Sequence, residues 1–403
     1  MDEEIQNALS AFPFQYGDSE WPKFVKKEKI SLPFPVIHVS GSSGKSSVCR
    51  FLEGIYQEAG YKVAVFSDYR LLPGQYGIRY DAHSIEEGDF CRIFESKKKL
   101  FAKFSLAWNE ILCAVALSYF AEKKPDLVIL EAGIGGQFDP TNLEDLNTVL
   151  AIVTSGGLDH TDVLGTTSSE IALDCAGILK PGCPLLIGSM DENSKSALLD
   201  FAKSLGSKLQ EADAYHFAHL ENGFFHFDYT PYKDLVLPSK ASFFLPDACL
   251  ALEGVRLIQE SFPVKEEDIR KGFLDFHLDG RGESLDGFLL CGASNDESTR
   301  ALASSLPALS GGKPVHVLYA SKIGQNIALM LPVLANASSS INLTGCPLPD
   351  FRAKEDYFLY EEDYPYIEDP LLGAKGLKER FPDDCIAFAG DLDFVLWVRS
   401  QLE

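Results

Sequence analysis

From residue 34 onward, short apolar runs rich in β-branched residues alternate with stretches whose apolar positions recur at helical spacing. PFPVIHVS runs straight into GSSGKS. Behind that loop, Val48, Phe51, Leu52, Ile55, Tyr56 and Ala59 fall on one face of an amphipathic helix, and Gly60 ends it. YKVAVFSD (61–68) predicts the next strand. After a polar stretch, 104–123 predicts one long, largely buried helix that Pro125 breaks, and DLVILEA (126–132) a buried strand. TVLAIVTS (148–155) and PLLIGS (184–189) predict further strands, with helices over 168–178 and 193–205. Such alternation predicts a parallel sheet covered on both faces.

The pattern changes at 209–245. AYHFAHLENGFFHFDYT alternates aromatic and polar residues around Asn222-Gly223, a hairpin signal. A helix is expected over 246–260. After HLDGRGESLDG a second α/β series begins, with strands in GFLLCGAS, PVHVLYAS, SINLTG and CIAFAG and helices over 297–306 and 391–401. The Gly- and Asp-rich segment near 276–281 suggests a domain boundary, giving an expected first domain of 1–276 and a second of 277–403.

The chain's 403 residues exceed one ordinary core. Its net charge of −23 argues against a general nucleic-acid binder and against docking on anionic membranes. A local cradle of backbone N–H groups can still hold a small anion in an acidic protein. The nine cysteines include no C-x-x-C pair, so neither a zinc ribbon nor a disulfide framework is signalled. With an acidic N-terminus and no apolar run of membrane-spanning length, the expectation is a soluble cytoplasmic protein.

Three segments carry chemistry. Gly41-Ser42-Ser43-Gly44-Lys45-Ser46 lies between a strand and a helix. Its glycines let backbone amides turn toward a phosphate, Lys45 adds charge, Ser46 offers an oxygen to Mg²⁺, and the helix N-terminus adds its dipole. The usual Walker A spacing would need a glycine where Val39 stands, so this is a shorter variant. Glu131 ends the strand DLVILEA ahead of the flexible GIGGQFDPTN, where a metal ligand beside a phosphate loop belongs. Gly157-Leu158-Asp159-His160-Thr161-Asp162 follows the next strand, and His160 could coordinate a second cation. His216, His219 and His226 invite a zinc reading, but no cysteine or carboxylate cluster supports it, and they read as structural. Cys49 reads as core. Cys175 has no evident base partner for a nucleophilic role.

HVSGSSGKSSV, LVILEAGIGGQFDPTN and IVTSGGLDHTDVLGTTSSEIALDCAGILKPGCP, in this order, resemble the folylpolyglutamate synthase/dihydrofolate synthase family of the Mur ligase superfamily. GR-x-E at 280–283, GASN at 292–295 and FAGDLDFVLWVR resemble its C-terminal domain. The resemblance implies an N-terminal P-loop ATPase-type domain with a mostly parallel sheet, followed by a smaller Rossmann-like α/β domain. It implies an ATP- and Mg²⁺-dependent carboxylate–amine ligase that adds L-glutamate to tetrahydrofolate or its polyglutamates through an acyl phosphate. A monomer is expected, although the residues are silent on oligomeric state. By the same resemblance Gly41, Ser42, Ser43, Gly44, Lys45 and Ser46 hold the ATP phosphates. Arg281 and Asn295 contact the nucleotide from the second domain. Ser46, Ser67, Glu131 and His160 hold metal, and Lys45, Glu131 and His160 are the expected catalytic groups.

The departures are as specific. Where the family has a carbamylated lysine, this chain has Cys175. D-G-A-H-N reads Cys291-Gly292-Ala293-Ser294-Asn295, and H-Q-x-x-N reads Phe243-Phe244-Leu245-Pro246-Asp247. GGR reads Gly135-Gly136-Gln137, and the folate-side T-S-P-H-L reads Phe66-Ser67-Asp68-Tyr69-Arg70. Two alternatives therefore stay open: a nucleotide-binding member without catalysis, and a ligase for a different acid. A small-molecule kinase would leave GLDHTD and GR-x-E unexplained. The residues do not say which carboxylate is extended.

Overall fold

The computed structural model describes residues 20–67, 77–360 and 362–402. The chain forms two compact units. The first holds the described residues through His216, with Asp228–Val236 and Pro246–Phe276. The second holds Phe217–Phe227, Leu237–Leu245 and the described residues from His277 on.

The first unit is built on an eight-stranded sheet of β1 (Val36–Ser40), β2 (Val63–Phe66), β3 (Ile78–Tyr80), β4 (His83–Ser84), β5 (Leu127–Glu131), β6 (Thr148–Val153), β7 (Leu185–Ile187) and β8 (Leu209–Glu211). Their order is β4-β3-β2-β5-β1-β6-β7-β8. The six strands from β2 to β8 in that order are parallel, and β3 and β4 are antiparallel. β1, β2 and β5 are buried along their whole length, as continuous apolar runs covered on both faces should be. The helices are α1 (Trp21–Glu28), α2 (Lys45–Glu58), α3 (Glu87–Lys103), α4 (Trp108–Lys123), α5 (Ser168–Cys175), α6 (Glu192–Ser204), α7 (Phe244–Leu257) and α8 (Glu266–Leu274).

One helix differs from its expected span. Residues 104–123 are not a single helix: α4 starts at Trp108, and the polar 87–103 forms α3. α3 is amphipathic, burying Phe90, Ile93, Phe94 and Phe101 while its lysines face outward. The Glu110 side chain accepts from the Ala107 amide at 2.8 Å, closing α4's first turn. The basic run 97–99 has specific partners, Lys97 with Glu28 and Lys98 with Glu95.

α2 buries the expected face, Val48, Phe51, Leu52, Ile55 and Tyr56. It packs on α8 where two glycines meet: a Cβ at Gly54 would lie 2.8 Å from the Gly272 oxygen. Phe51 stacks on Phe276 with ring centroids 3.9 Å apart. Fully buried Glu53 on the same helix is satisfied by Arg79, at 2.8 Å. This packing fixes α2, and with it the phosphate loop at its N-terminus.

β9 (His216–Glu221), β10 (Phe224–Tyr229) and β11 (Tyr232–Leu237) form a three-stranded sheet, order β11-β10-β9. The second unit carries a six-stranded sheet of β12 (Arg281–Leu285), β13 (Phe288–Gly292), β14 (Val315–Ala320), β15 (Ser340–Thr344), β16 (Tyr366–Ile367) and β17 (Cys385–Gly390), in the order β12-β13-β17-β14-β15-β16. All but β12 are parallel. Its helices are α9 (Asp296–Leu309), α10 (Ile327–Ala337), α11 (Pro370–Arg380) and α12 (Leu392–Leu402). A core of Leu290, Leu318, Phe388 and Phe394 lies among them. Among the described residues, no helix is long and apolar enough to cross a membrane.

Candidate active site at the phosphate loop

The strand order decides which loops meet. β1 lies between β5 and β6, and β2 lies beyond β5, so the segments after all four strands emerge along one carboxyl edge. Those segments contain Gly41–Ser46, Glu131, Ser67 and Thr154-Ser155.

The loop itself is a backbone device. Gly41 (φ 132°) and Gly44 (φ 86°) occupy conformations that favour glycine. A Cβ on Gly41 would collide with Thr154 Oγ1, and one on Gly44 with Asp247 Oδ1. The loop is stitched to the edge of β6. Ser42 N donates to the Ser155 oxygen at 3.2 Å, Ser43 N to Ser155 Oγ at 3.0 Å, Thr154 Oγ1 to the Ser43 oxygen at 2.5 Å, and Ser42 Oγ to the Gly157 oxygen at 2.7 Å. Lys45 Nζ folds back to the Gly41 oxygen, 2.7 Å away. Gly44, the N-cap residue of α2, makes no side-chain cap. A helix N-terminus whose N-cap residue has no side chain is a place where an anion can be held.

Ser46 Oγ donates to Glu131 Oε1 at 2.7 Å, across 85 residues of sequence. Ser67 lies one residue beyond the Phe66–Leu130 register pair, which puts it beside Glu131. It is 1% exposed, and its Oγ has no hydrogen-bond partner among the described residues. Two hydroxyls and a carboxylate are hard oxygen donors of the kind Mg²⁺ takes, and a buried hydroxyl left without a partner fits such a ligand. A narrow cavity lined by Phe66, Asn109, Glu131, Asp139 and Thr141 opens beside them.

Behind the cavity runs a buried chain. His38 Nε2 meets Thr141 Oγ1 at 2.9 Å, Thr141 Oγ1 donates to Asp139 Oδ1 at 2.5 Å, and Asp139 Oδ2 accepts from Gly133 N at 2.8 Å. It holds the segment after β5 against β1. Burial, reinforced by the charge of Lys180, pushes the His38 imidazole down to about 3, so it is neutral.

His160 is placed differently. It sits in the loop after β6 with φ 45° and a side chain 44% exposed, its Nε2 facing Asp159 Oδ1 at 3.8 Å. Arg281 Nη1 donates to the Gly292 oxygen at 2.7 Å, and Asn295 caps α9 by accepting from Ser298 N at 2.8 Å. Of the folate-side segment, Asp68, Tyr69 and Arg70 lie outside the described residues.

Cys175 ends α5 directly beneath the phosphate loop and is 1% exposed. Burial pushes its thiol up to about 11, and the Ser40 hydroxyl and the Lys45 charge recover only part of that. It is a neutral packing group at physiological pH. Asp174 Oδ1 instead accepts from Gly136 N at 2.9 Å, tying α5 to the glycine segment after Glu131.

Asp247 was legible only as a departure from a motif. Its carboxylate comes from α7 to lie against Gly44, at the open end of α2. Thr154 and Ser155, which hold the loop, also carried no signal beyond following a strand.

No family model matches the chain. It is 32% identical over 267 residues to the dihydrofolate synthase/folylpolyglutamate synthase of Haemophilus influenzae, covering 64% of this chain and 58% of that protein. It is 24% identical over 388 residues to the enzyme of the same name from Bacillus subtilis, covering 91% and 90%. The chain is thus similar in sequence and in fold to dihydrofolate synthase/folylpolyglutamate synthases. Its match spans less than two thirds of the length of the relatives at 32% identity. Solved structures of family members share the fold. An Escherichia coli FolC structure in complex with DHPP and ADP aligns with TM-score 0.86 at 24% identity, covering 99% of this chain and 96% of that one. A Mycobacterium tuberculosis folylpolyglutamate synthase aligns with TM-score 0.87 at 20% identity, covering 99% and 97%.

Proposed function

We propose that this chain is a member of the folylpolyglutamate synthase/dihydrofolate synthase family and an ATP-dependent ligase that adds L-glutamate to a reduced folate, tetrahydrofolate or its polyglutamates. The observation that supports it most is the Ser46–Glu131 bond at the mouth of the phosphate loop, with the buried Ser67 hydroxyl beside it. The names of the relatives support the folate acid, and an ATP-analogue complex of a related folylpolyglutamate synthase supports the nucleotide.

In this reading the amides of Gly41–Ser46 hold the nucleotide phosphates, and Lys45 swings from the Gly41 oxygen to neutralise them. Ser46, Ser67 and Glu131 would hold Mg²⁺, which withdraws charge from the phosphates. An oxygen of the folate carboxylate attacks the γ-phosphorus, an O–P bond forms, the bond to the β-phosphate oxygen breaks, and ADP leaves. The glutamate amine then attacks the activated carbonyl, inorganic phosphate departs with the C–O bond's electrons, and the nitrogen loses a proton. Phosphorylation is needed because a carboxylate is a poor electrophile. His160 is proposed to join the site as a further metal ligand, and Arg281 and Asn295 are proposed as nucleotide contacts.

One observation favours a second reading, a nucleotide-binding member without turnover: the neutral, buried thiol of Cys175 where the family's carbamylated lysine is expected. ADP release with Mg-ATP, tetrahydrofolate and L-glutamate separates the two, with Lys45→Ala as control. Release that needs both co-substrates, with a product heavier by one glutamyl unit, supports the ligase. Nucleotide binding that requires Lys45 but yields no amide product overturns it.

A further inference from the structure

Two clusters outside the phosphate edge bring metal-ligating atoms within 4.8 Å of one another: His277, Asp279 and Glu283, and His219, Glu221 and His226. The first is already neutralised by a cation of the protein, because Arg399 contacts Glu283 at 3.0 Å and Asp279 at 3.4 Å. The second is different. We propose that the β9–β10 hairpin is a binding site for a divalent first-row transition ion, Zn²⁺ in kind, with His219, Glu221 and His226 as ligands.

The turn builds the ligand set. Asn222 (φ 51°) and Gly223 (φ 87°) are both left-handed, the signature of a two-residue type I′ turn. Such a turn sets residue 221 opposite 224 and therefore His219 opposite His226, with Glu221 on the same strand face two residues from His219. The two imidazoles stack with centroids 5.3 Å apart and planes 24° off parallel. Glu221 Oε2 is 3.8 Å from His219 Nε2.

A second observation orients the ligand atom. His219 Nδ1 lies 3.3 Å from the oxygen of Phe217, a residue held in the left-handed region at φ 52°. A carbonyl oxygen only accepts, so Nδ1 is the donor, and Nε2 is the ring nitrogen left to a ligand. Nε2 is the atom that faces Glu221. An imidazole donating one N–H to a carbonyl while offering the other nitrogen is the usual outer support of a metal-bound histidine. Two imidazoles and a carboxylate, with water completing the shell on an exposed strand, suit Zn²⁺, Ni²⁺ or Cu²⁺ and not Mg²⁺. The zinc reading failed on the sequence for want of a carboxylate; the hairpin supplies Glu221.

The test is calorimetric titration of metal-stripped full-length protein with Zn²⁺ and with Ni²⁺, the phosphate site first saturated with Mg²⁺ and an ATP analogue. One ion per chain is expected, with binding weakened at least about tenfold by His219→Ala or His226→Ala and less by Glu221→Gln. His219 and Glu221 are exposed and His226 is half-buried, so the variants should keep a melting temperature close to the parent's. Zn²⁺ should also slow amide exchange across 217–227. Unchanged affinity in the His219→Ala/His226→Ala double variant, or no binding at millimolar metal, overturns the proposal.

Discussion

The segments after β1 and β13 each lead from a buried strand into a long helix. At β13 the helix is closed by its own side chain: Asn295 accepts from Ser298 N, and Ser298 Oγ donates back to Asn295 Oδ1 at 2.7 Å. At β1 the N-cap is Gly44, which has no side chain to offer, and the first turn of α2 carries no acidic residue. Four amides at a helix start must find partners. At α9 Asn295 takes one of them, whereas α2 has no side-chain cap at its N-cap residue. The proposed anion site therefore differs from the structural helix start in lacking a side-chain N-cap.

The largest effect expected from breaking this contrast is at Lys45. Lys45→Ala should lower ATP-dependent turnover by roughly 10²–10³, about 3–4 kcal/mol, with the melting temperature almost unchanged. Steady-state kinetics beside a thermal melt checks both halves. A comparable loss of fold stability would mean that the Gly41 contact, not the phosphates, is what Lys45 serves.

The next effect is on stability and follows from His38 behind the phosphate edge. Its folded pKa of about 3 lies below the ordinary 6.5, so between these values the unfolded chain binds more protons. Stability from this group is complete above pH 6.5 and falls as pH drops through that window. From pH 6.5 to 5 the loss is about 2 kcal/mol, at about 1.4 kcal/mol per pH unit. Urea midpoints at several pH values should show the parent falling more steeply than His38→Gln. Equal slopes in the two proteins would contradict the assignment.

Asp247→Asn should act with opposite signs on two readouts. Removing a negative charge from beside Gly44 should tighten ATP binding by about 1 kcal/mol, roughly fivefold. It should also cost a few tenths of a kcal/mol of stability, since a carboxylate at a helix N-terminus favours the fold. Weaker nucleotide binding in the variant would show instead that Asp247 takes part in holding the nucleotide or its metal. The smallest effect belongs to the closed helix. Asn295→Ala should cost about 1 kcal/mol of stability. If Asn295 also reaches the nucleotide, the KM for ATP rises as well; if capping is its whole role, KM stays put.

Much of this was readable in the residues. A continuous apolar strand, a glycine-lysine-serine loop and an amphipathic stripe are local patterns, because backbone conformation and burial face are set within a few residues. That is why β1, the loop, α2 and the Asn222-Gly223 turn stand where expected. The helix over 104–123 was misread at its start because the apolar residues Phe104 and Leu106 join two helices rather than beginning one. α10 and α11 were not among the expected helices. His160 carried a plausible ligand identity, but exposure is not encoded in a short motif.

The sequence by itself determined the fold class and the position of the glycine-lysine-serine loop between β1 and α2, since both follow from short-range periodicity and glycine spacing. The tertiary structure decided everything that depends on strand order. Only the placement of β5 beside β1, and β2 beside β5, brings Glu131 to Ser46 and Ser67 alongside. Only α7's path sets Asp247 against Gly44, and only the cross-strand register of the hairpin brings His226 to His219 and Glu221. Side chains far apart in the chain meet through packing of whole elements, which is a property of the assembled core and of no local run of residues.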